Sequence, residues 1–178
     1  PHLRTWRDGW RHLRFLLLLC HHWLFLYPGS LLFTAGLAAG IAIVPGQWWI
    51  FDVHTLLYCS TAVIVGFNLM LFGTLAKVFG NRMELLPSTT YLRLLHRHFT
   101  LELGVLVGAV LFLGGIAASV YAVSLWSREG FGDIEPTTVL RIVIPATTAI
   151  MLGLQIAFAS FLIDFSFFVQ PAKQKGGM

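Results

Sequence analysis

Four long apolar stretches dominate this chain, and they limit its possible folds more than any other feature. Each is long enough to approach or exceed the roughly 20 apolar residues that a helix needs to cross a bilayer. The composition agrees, since 57% of the 178 residues are hydrophobic, only 11% are charged and the mean hydropathy is +0.77. The sequence therefore predicts an all-α membrane protein with several spans.

We place the four predicted spans at residues 28–44, 53–79, 101–126 and 137–169. Pro28 is expected to end the preceding helix, which leaves the first span short unless Trp23 to Tyr27 also enter the bilayer. Pro45 closes this span, and Asp52 is a candidate N-cap for the second. The fourth span is longer than a bilayer requires, so we expect it to be tilted, kinked near Pro145 or emergent. Together the spans form a predicted transmembrane domain at residues 28–178.

Residues 1–27 have a different pattern. Arginines recur at spacings of three or four, while tryptophans and leucines follow a second helical stripe, which is typical of an interfacial amphipathic helix. The chain starts with Pro1 and lacks the features of a signal peptide, so we interpret it as a fragment or a processed product. The arginines of this row are Arg4, Arg7, Arg11 and Arg14.

The distribution of basic residues predicts the orientation. Ten of the 12 Lys and Arg residues fall on the side of the two termini, and only Arg128 and Arg141 fall on the other. The positive-inside rule then places both termini in the cytoplasm. Arg93 and Arg97 join the arginine row in a predicted basic collar that could hold lipid headgroups or a phosphate. Ordinary topology signalling is the alternative reading of this collar.

A weak internal repeat links the second and fourth spans. Gly66-Phe67-Asn68 resembles Gly153-Leu154-Gln155, and each triplet is followed by an apolar half-span. Glycine-rich spans precede both. The pattern predicts two hairpins of like orientation, related by a pseudo-two-fold axis along the membrane normal.

Four polar residues are candidates for a site within the membrane. Asn68 and Gln155 are expected near mid-membrane, where they either bond to each other or to the backbone, or contact a polar group of a ligand. Glu102 and Asp164 lie near the cytoplasmic ends of their spans. Ionisable residues at such depths are functional candidates, and ion pairing with Lys77 or the nearby arginines is the alternative.

The sequence lacks the motifs of the common catalytic sites. There is no Asp-x-Asp, phosphate-binding glycine loop, nucleophile elbow or His-Glu-x-x-His. His54 is expected on the opposite side of the membrane from His96 and His98, so these residues cannot share a haem. We predict no catalytic residue, metal or cofactor in this chain and no nucleic-acid partner, and we interpret the histidines as solvated or facing lipid headgroups.

Several strings resemble the membrane segment of bacterial family 2 glycosyltransferases of the dolichol-phosphate-mannose-synthase type. The longest covers residues 3–17, and the resemblance extends over nearly the whole chain. His21-His22 departs from the family pattern, in which a Pro-Arg pair is expected. The matching strings are LRTWRDGWRHLRFLL at residues 3–17, FDVHTLLY at 51–58, LAKVF at 75–79, FTLE at 99–102 and LRIVIP at 140–145.

This resemblance implies a division of labour. In the family, a cytoplasmic domain with an Asp-rich site and a divalent metal transfers a sugar from a nucleotide sugar to a polyprenyl phosphate. None of those catalytic residues is present here. The resemblance implies that this chain anchors such a domain in the bacterial inner membrane and binds polyprenyl phosphate, with the phosphate near the arginine row. The catalytic domain would be upstream in the same protein or on a separate chain.

Two other functions fit the same sequence. A small transporter or flippase for a lipid-linked sugar would use Asn68 and Gln155 to line a path. A non-catalytic membrane assembly subunit would need only the apolar helices. A homo-oligomer is compatible with all three readings.

Overall fold

The computed structural model describes residues 6, 9–10, 12–13, 22–45, 52–82, 101–128 and 136–168. A π-helical turn at His22–Leu26 leads into α1 at Tyr27–Ile43. The other helices are α2 at Val53–Arg82, α3 at Leu101–Arg128 and α4 at Pro136–Phe168. All four are long and apolar enough to cross a membrane, and the described residues are helical apart from Val44, Pro45 and Asp52. The prediction of an all-α membrane protein is confirmed.

The helix bounds lie close to the predicted spans, with one correction. The predicted break at Pro28 is wrong, because the helix runs from His22 through Pro28 to Ile43 and the candidate membrane span is His22–Ile43. Pro28 lies in the first turn of α1, where a backbone N–H would have no partner within the α-helix and proline is tolerated. Most of residues 1–21 lie outside the described part of the chain, so the interfacial helix and the domain boundary after residue 27 stay predictions.

The four helices pack as two hairpins, α1 with α2 and α3 with α4, and α2 contacts α4 between them. Glycines allow the close approach within each hairpin. A Cβ added at Gly66 would lie 2.5 Å from Phe33 N, and one at Gly153 would lie 2.7 Å from Phe112 N. No side chain fits at either position without moving the partner helix.

The glycine contacts show that the repeat is present in the structure as well as in the sequence. Gly36 packs against Cys59 and Val63, and Gly115 packs against Ala146 and Ile150. In every such pair the α3 residue lies 79 positions after its α1 counterpart, and the α4 residue lies 87 positions after its α2 counterpart. The corresponding pairs are 25/73 and 104/160, 29/66 and 108/153, 33/66 and 112/153, 36/59 and 115/146, and 36/63 and 115/150.

The same register extends into the π-helical turn. Counting 79 positions on from Phe25 gives Gly104, and the contact of Phe25 with Gly73 corresponds to that of Gly104 with Ser160. The turn at His22–Leu26 is therefore the counterpart of the first described turn of α3.

Hydroxyl groups within the helices bond to their own backbone. Thr74 Oγ1 donates to Met70 O at 2.8 Å, Thr148 Oγ1 to Ile144 O at 2.7 Å, and Ser160 Oγ to Ile156 O at 2.8 Å. These bonds satisfy polar groups that would be costly in hydrocarbon. Pro145 lies inside α4, which continues through it.

We name the two ends of the bundle after Lys77 and Asp52. The Lys77 end contains the starts of α1 and α3 and the ends of α2 and α4. At the Asp52 end, Asp52 Oδ1 accepts a 2.7 Å hydrogen bond from Val53 N, and its carbonyl accepts from Leu56 N at 3.2 Å. Asp52 thus lies at the predicted N-cap position of α2, with its side chain accepting from the first helical N–H and not from the second or third. Arg141 Nη2 of α4 lies 3.7 Å from Asp52 Oδ1 and joins the two hairpins.

Candidate functional site

A buried lysine is the main charged feature at the Lys77 end. Lys77 is only 5% exposed, and its Nζ lies 3.3 Å from His22 Nε2. An ammonium group can only donate, so His22 Nε2 is the acceptor. The two residues are brought together because Gly73, one turn before Lys77, packs against Phe25 and Leu26. His22 is half-buried, which corrects its interpretation as a solvated or headgroup-facing side chain.

The two acidic candidates lie at the same end. Glu102 is exposed in the first turn of α3, and Asp164 is half-buried near the end of α4. Within the described ranges neither forms an ion pair, and Lys77 pairs with neither of them. A carboxylate in the first turn interacts favourably with the helix dipole, so Glu102 has a structural role whatever else it does.

Two apolar cavities lie along α4. The larger, of about 250 Å³, lies between the hairpins near the Asp52 end, where Pro145, Thr148 and Leu152 of α4 face Gly36, Gly40, Cys59 and Ser60 of the first hairpin. The smaller, of about 140 Å³, is nearer the Lys77 end and lies mostly within the second hairpin, lined by Ile156, Ala159 and Ile163 of α4 and by Gly104 and Val107 of α3. Phe67 is its one lining residue from the first hairpin.

The cavity-lining residues of α4 form one stripe along the helix. Their spacing of three or four residues keeps them on a single face, which is turned toward the first hairpin. From Pro145 to Ile163 this face extends about 27 Å at 1.5 Å per residue. Both cavities therefore open along one face of α4 that borders the first hairpin, which we call the inter-hairpin seam.

Gln155 lies on this stripe between the two sets of cavity-lining residues. Its Oε1 atom is buried and has no hydrogen-bond partner within the described part of the chain. The Asn68 amide therefore does not donate to it, although the repeat register makes Asn68 its counterpart in α2. The predicted hydrogen bond from the Asn68 side chain to Gln155 Oε1 is therefore not formed. A buried acceptor without a partner is costly.

The arginine candidates cannot be placed. Arg4, Arg7, Arg11, Arg14, Arg93 and Arg97 all lie outside the described residues. Trp6, Trp10 and Leu13, the described apolar residues of the N-terminal segment, are exposed helical positions. The basic collar therefore stays a prediction.

Sequence reasoning missed the prominence of Lys77. It treated this residue only as a possible partner for the acids and as one of the charges that set topology. The available signal was its isolation within the apolar string Leu75-Ala76-Lys77-Val78-Phe79. A lone lysine in such a string must place its ammonium group against a protein partner or at the membrane surface.

The fold and these features define a multi-pass helical membrane domain with an apolar seam and a cation at one end. Residues 74–166 match the glycosyltransferase family 2 C-terminal transmembrane region, and this match covers more than half of the chain. The chain belongs to this family of membrane regions.

A curated relative supports the assignment. The chain is 34% identical over 169 residues to the low-salt glycan biosynthesis hexosyltransferase Agl6 of Haloferax volcanii. The match covers 90% of this chain and 39% of the relative, so the chain spans about two fifths of the length of the protein it matches. No solved structure matches the chain.

Proposed function

We propose that this chain is the membrane domain that anchors a family 2 glycosyltransferase and holds its polyprenyl-phosphate acceptor. The isoprenoid chain lies along the inter-hairpin seam, and its phosphate lies at the Lys77 end. A catalytic domain with a divalent metal, in the same protein or on another chain, carries out the transfer from a nucleotide sugar. The relative is named as a hexosyltransferase, so we propose a hexose as the sugar.

The observation that carries this proposal is the alignment of an apolar seam with a buried cation. An isoprenoid chain needs a long apolar surface, and a phosphate needs charge-assisted hydrogen bonds near the membrane surface. Phe67 of the smaller cavity and Lys77 are ten residues apart on α2, which corresponds to about 15 Å. A phosphate beside Lys77 would therefore place the following isoprenoid units within reach of the seam.

The acids at this end constrain where the phosphate binds. Glu102 and Asp164 are adjacent in sequence to Leu103 and Ile163, which line the smaller cavity. Their charges repel a phosphate placed beside the second hairpin. We therefore place it on the side of the first hairpin, next to Lys77 and near the predicted arginine row. This orientation puts the Lys77 end in the cytoplasm, in agreement with the distribution of basic residues.

Substitution of Lys77 tests the proposal. A hydrogen bond to a charged group contributes about 1.5–3 kcal/mol, so Lys77→Gln should weaken polyprenyl-phosphate binding roughly 10- to 100-fold. Binding is measured in nanodiscs against polyprenol, which lacks the phosphate. Lys77→Arg keeps the charge and should retain most of the affinity.

Arg141→Gln is the matched control because it removes a cation from the opposite end of the bundle. Its affinity for the acceptor should equal that of the original chain. Equal affinities of the Lys77→Gln variant and the original chain would contradict the phosphate position. Equal affinities for polyprenyl phosphate and polyprenol would contradict acceptor binding itself.

One observation favours the flippase as a second candidate. Gln155 lies on α4 between the cavity-lining residues Leu152 and Ile156, and its buried Oε1, which has no partner among the described residues, could accept a hydrogen bond from a passing sugar hydroxyl. This reading predicts that liposomes containing only this chain move a lipid-linked sugar across the bilayer, and that Gln155→Leu abolishes the movement. An anchor and acceptor domain predicts no movement in either case.

A further inference from the structure

The two hairpins have equivalent surfaces, but only one copy of each surface is used. Within the chain, the α4 face that carries Ile144 and Thr148 packs against the first hairpin. Ile144 is 8% exposed and clusters with Ile43, Val53, Leu56 and Cys59. Counting back 87 positions, its counterpart on α2 is Leu57, which is 54% exposed. The counterpart of the buried Thr148 is the exposed Thr61.

The surface that receives α4 is also duplicated. It is the α2 side of the groove between α1 and α2, where Val53 and Leu56 cluster with Ile144 and Ser60 lines the larger cavity. In the repeat register the counterparts of these three residues, on the α4 side of the groove between α3 and α4, are Leu140, Val143 and Thr147. Val53 is 4% exposed and Leu56 2%, whereas Leu140 is 41% exposed and Thr147 is exposed as well.

Residue type is preserved between the two grooves and between the two docking faces. Two aliphatic side chains and a hydroxyl recur at the three groove positions above. On the docking faces, Thr148, Ala149 and Leu152 of α4 correspond to Thr61, Ala62 and Val65 of α2. The unused face and the unused groove thus have the same chemistry as the pair already joined within the chain.

This packing departs from the predicted pseudo-two-fold axis. A two-fold axis would bury Leu57 and Thr61 just as it buries Ile144 and Thr148. The hairpins instead pack head to tail, with the face of one in the groove of the other, which leaves one face and one groove free. Head-to-tail interfaces repeat until they close into a ring or extend into a filament.

We propose that a second copy of this chain occupies the free surfaces. The α2 face of one copy, with Leu57, Thr61 and Val65, docks into the α3–α4 groove of the other. Each chain supplies two hairpins, so a closed ring of whole chains contains an even number of hairpins. The two hairpins of one chain leave one face and one groove free. The smallest ring without a free surface therefore has four hairpins. The assembly is therefore a dimer with two equivalent interfaces between the copies.

The interface between copies differs from the internal one in its polar contact. The internal interface includes the ion pair of Arg141 with Asp52. The counterparts are His54 and Val139, which cannot form such a pair. Close packing of small and aliphatic residues therefore holds the copies together, as is common between membrane helices. This inference does not depend on the proposed acceptor.

Disulfide cross-linking tests the dimer. Thr61→Cys and Thr147→Cys are introduced into separate copies of the full protein with different tags, after Cys20→Ser and Cys59→Ala. This pair is the counterpart of Thr148 and Ser60, which both line the larger internal cavity. Mild oxidation of membranes containing both copies should give the mixed-tag product several-fold above the control. Each substitution is small and exposed, so folding should be preserved.

The control replaces Thr61→Cys with Thr34→Cys. Thr34 is exposed on α1, outside both the free face and the free groove. Its depth in the membrane is similar to that of Thr61, because Gly36 in the adjacent turn packs against Cys59 and Ala62. Cross-linking no higher than this control would overturn the proposal. A protein with both Thr61→Cys and Thr147→Cys should give dimers only. A ladder of larger products would overturn closure at two copies.

Discussion

Replacing Gly153 by alanine is the sharpest test of the packing within the second hairpin. The added Cβ would lie 2.6 Å from Gly108 O, 2.7 Å from Phe112 N and 3.0 Å from Phe112 Cα. All three are backbone atoms, so no side-chain rotation relieves the contact and the helices must separate. Overpacking typically costs about 1–3 kcal/mol, and the higher helix propensity of alanine returns at most about 1. The net loss is therefore up to about 2 kcal/mol if the full propensity gain is realised, and about 1–3 kcal/mol relative to a glycine-to-alanine variant without the steric contact.

The assay is reversible unfolding of the chain in mixed micelles, followed by circular dichroism. Gly114→Ala is the matched control, because among the described residues no atom of a neighbouring helix lies within 4 Å of the added Cβ. It should leave the free energy of unfolding unchanged or slightly increased. Gly66→Ala should lose about as much as Gly153→Ala, because its Cβ meets Phe33 N and Gly29 O in the equivalent geometry. A Gly153→Ala variant as stable as Gly114→Ala would refute the reasoning.

Further predictions concern the two ends and the centre of the bundle. Gln155→Leu removes the buried unpartnered acceptor and should stabilise the chain by about 1–3 kcal/mol in the same unfolding assay; a loss of stability would show that Oε1 has a partner. Asp52→Asn keeps the N-cap but removes the ion pair with Arg141. Both side chains of this pair are partly exposed, so its loss should lower the free energy of unfolding by at most about 1 kcal/mol. Asp52→Ala removes the cap as well and should cost about 1 kcal/mol more. Equal stabilities of the two Asp52 variants would contradict the capping role.

The spans were predictable because hydrophobicity alone determines which segments can lie in a bilayer. The continuation of the first helix through Pro28 was not predictable, since a proline indicates a helix end when the structure of its neighbours is unknown. In the structure the π-helical turn before it continues the helix, and Pro28 falls in the first α-helical turn. Proline signals an end or a beginning equally well, and the surrounding chain decides which.

The repeat was visible at Gly66 and Gly153, but its consequences were not. Local similarity predicts like hairpins, whereas the side on which they meet depends on contacts between residues such as Ile144 and Leu56. Likewise, the burial of Lys77 depends on the close approach of the turn at His22–Leu26 to Gly73. The predicted arginine collar lies outside the described residues and stays a prediction.

The most direct test of the account is photo-cross-linking with a polyprenyl phosphate that carries a diazirine on its isoprenoid chain. The account predicts labelling along the inter-hairpin seam, at Phe67, Ile156 and Ile163, and suppression by unlabelled polyprenyl phosphate but not by polyprenol. Labelling spread evenly over exposed residues of α3 such as Val110 and Leu113, without such competition, would contradict an acceptor site between the hairpins.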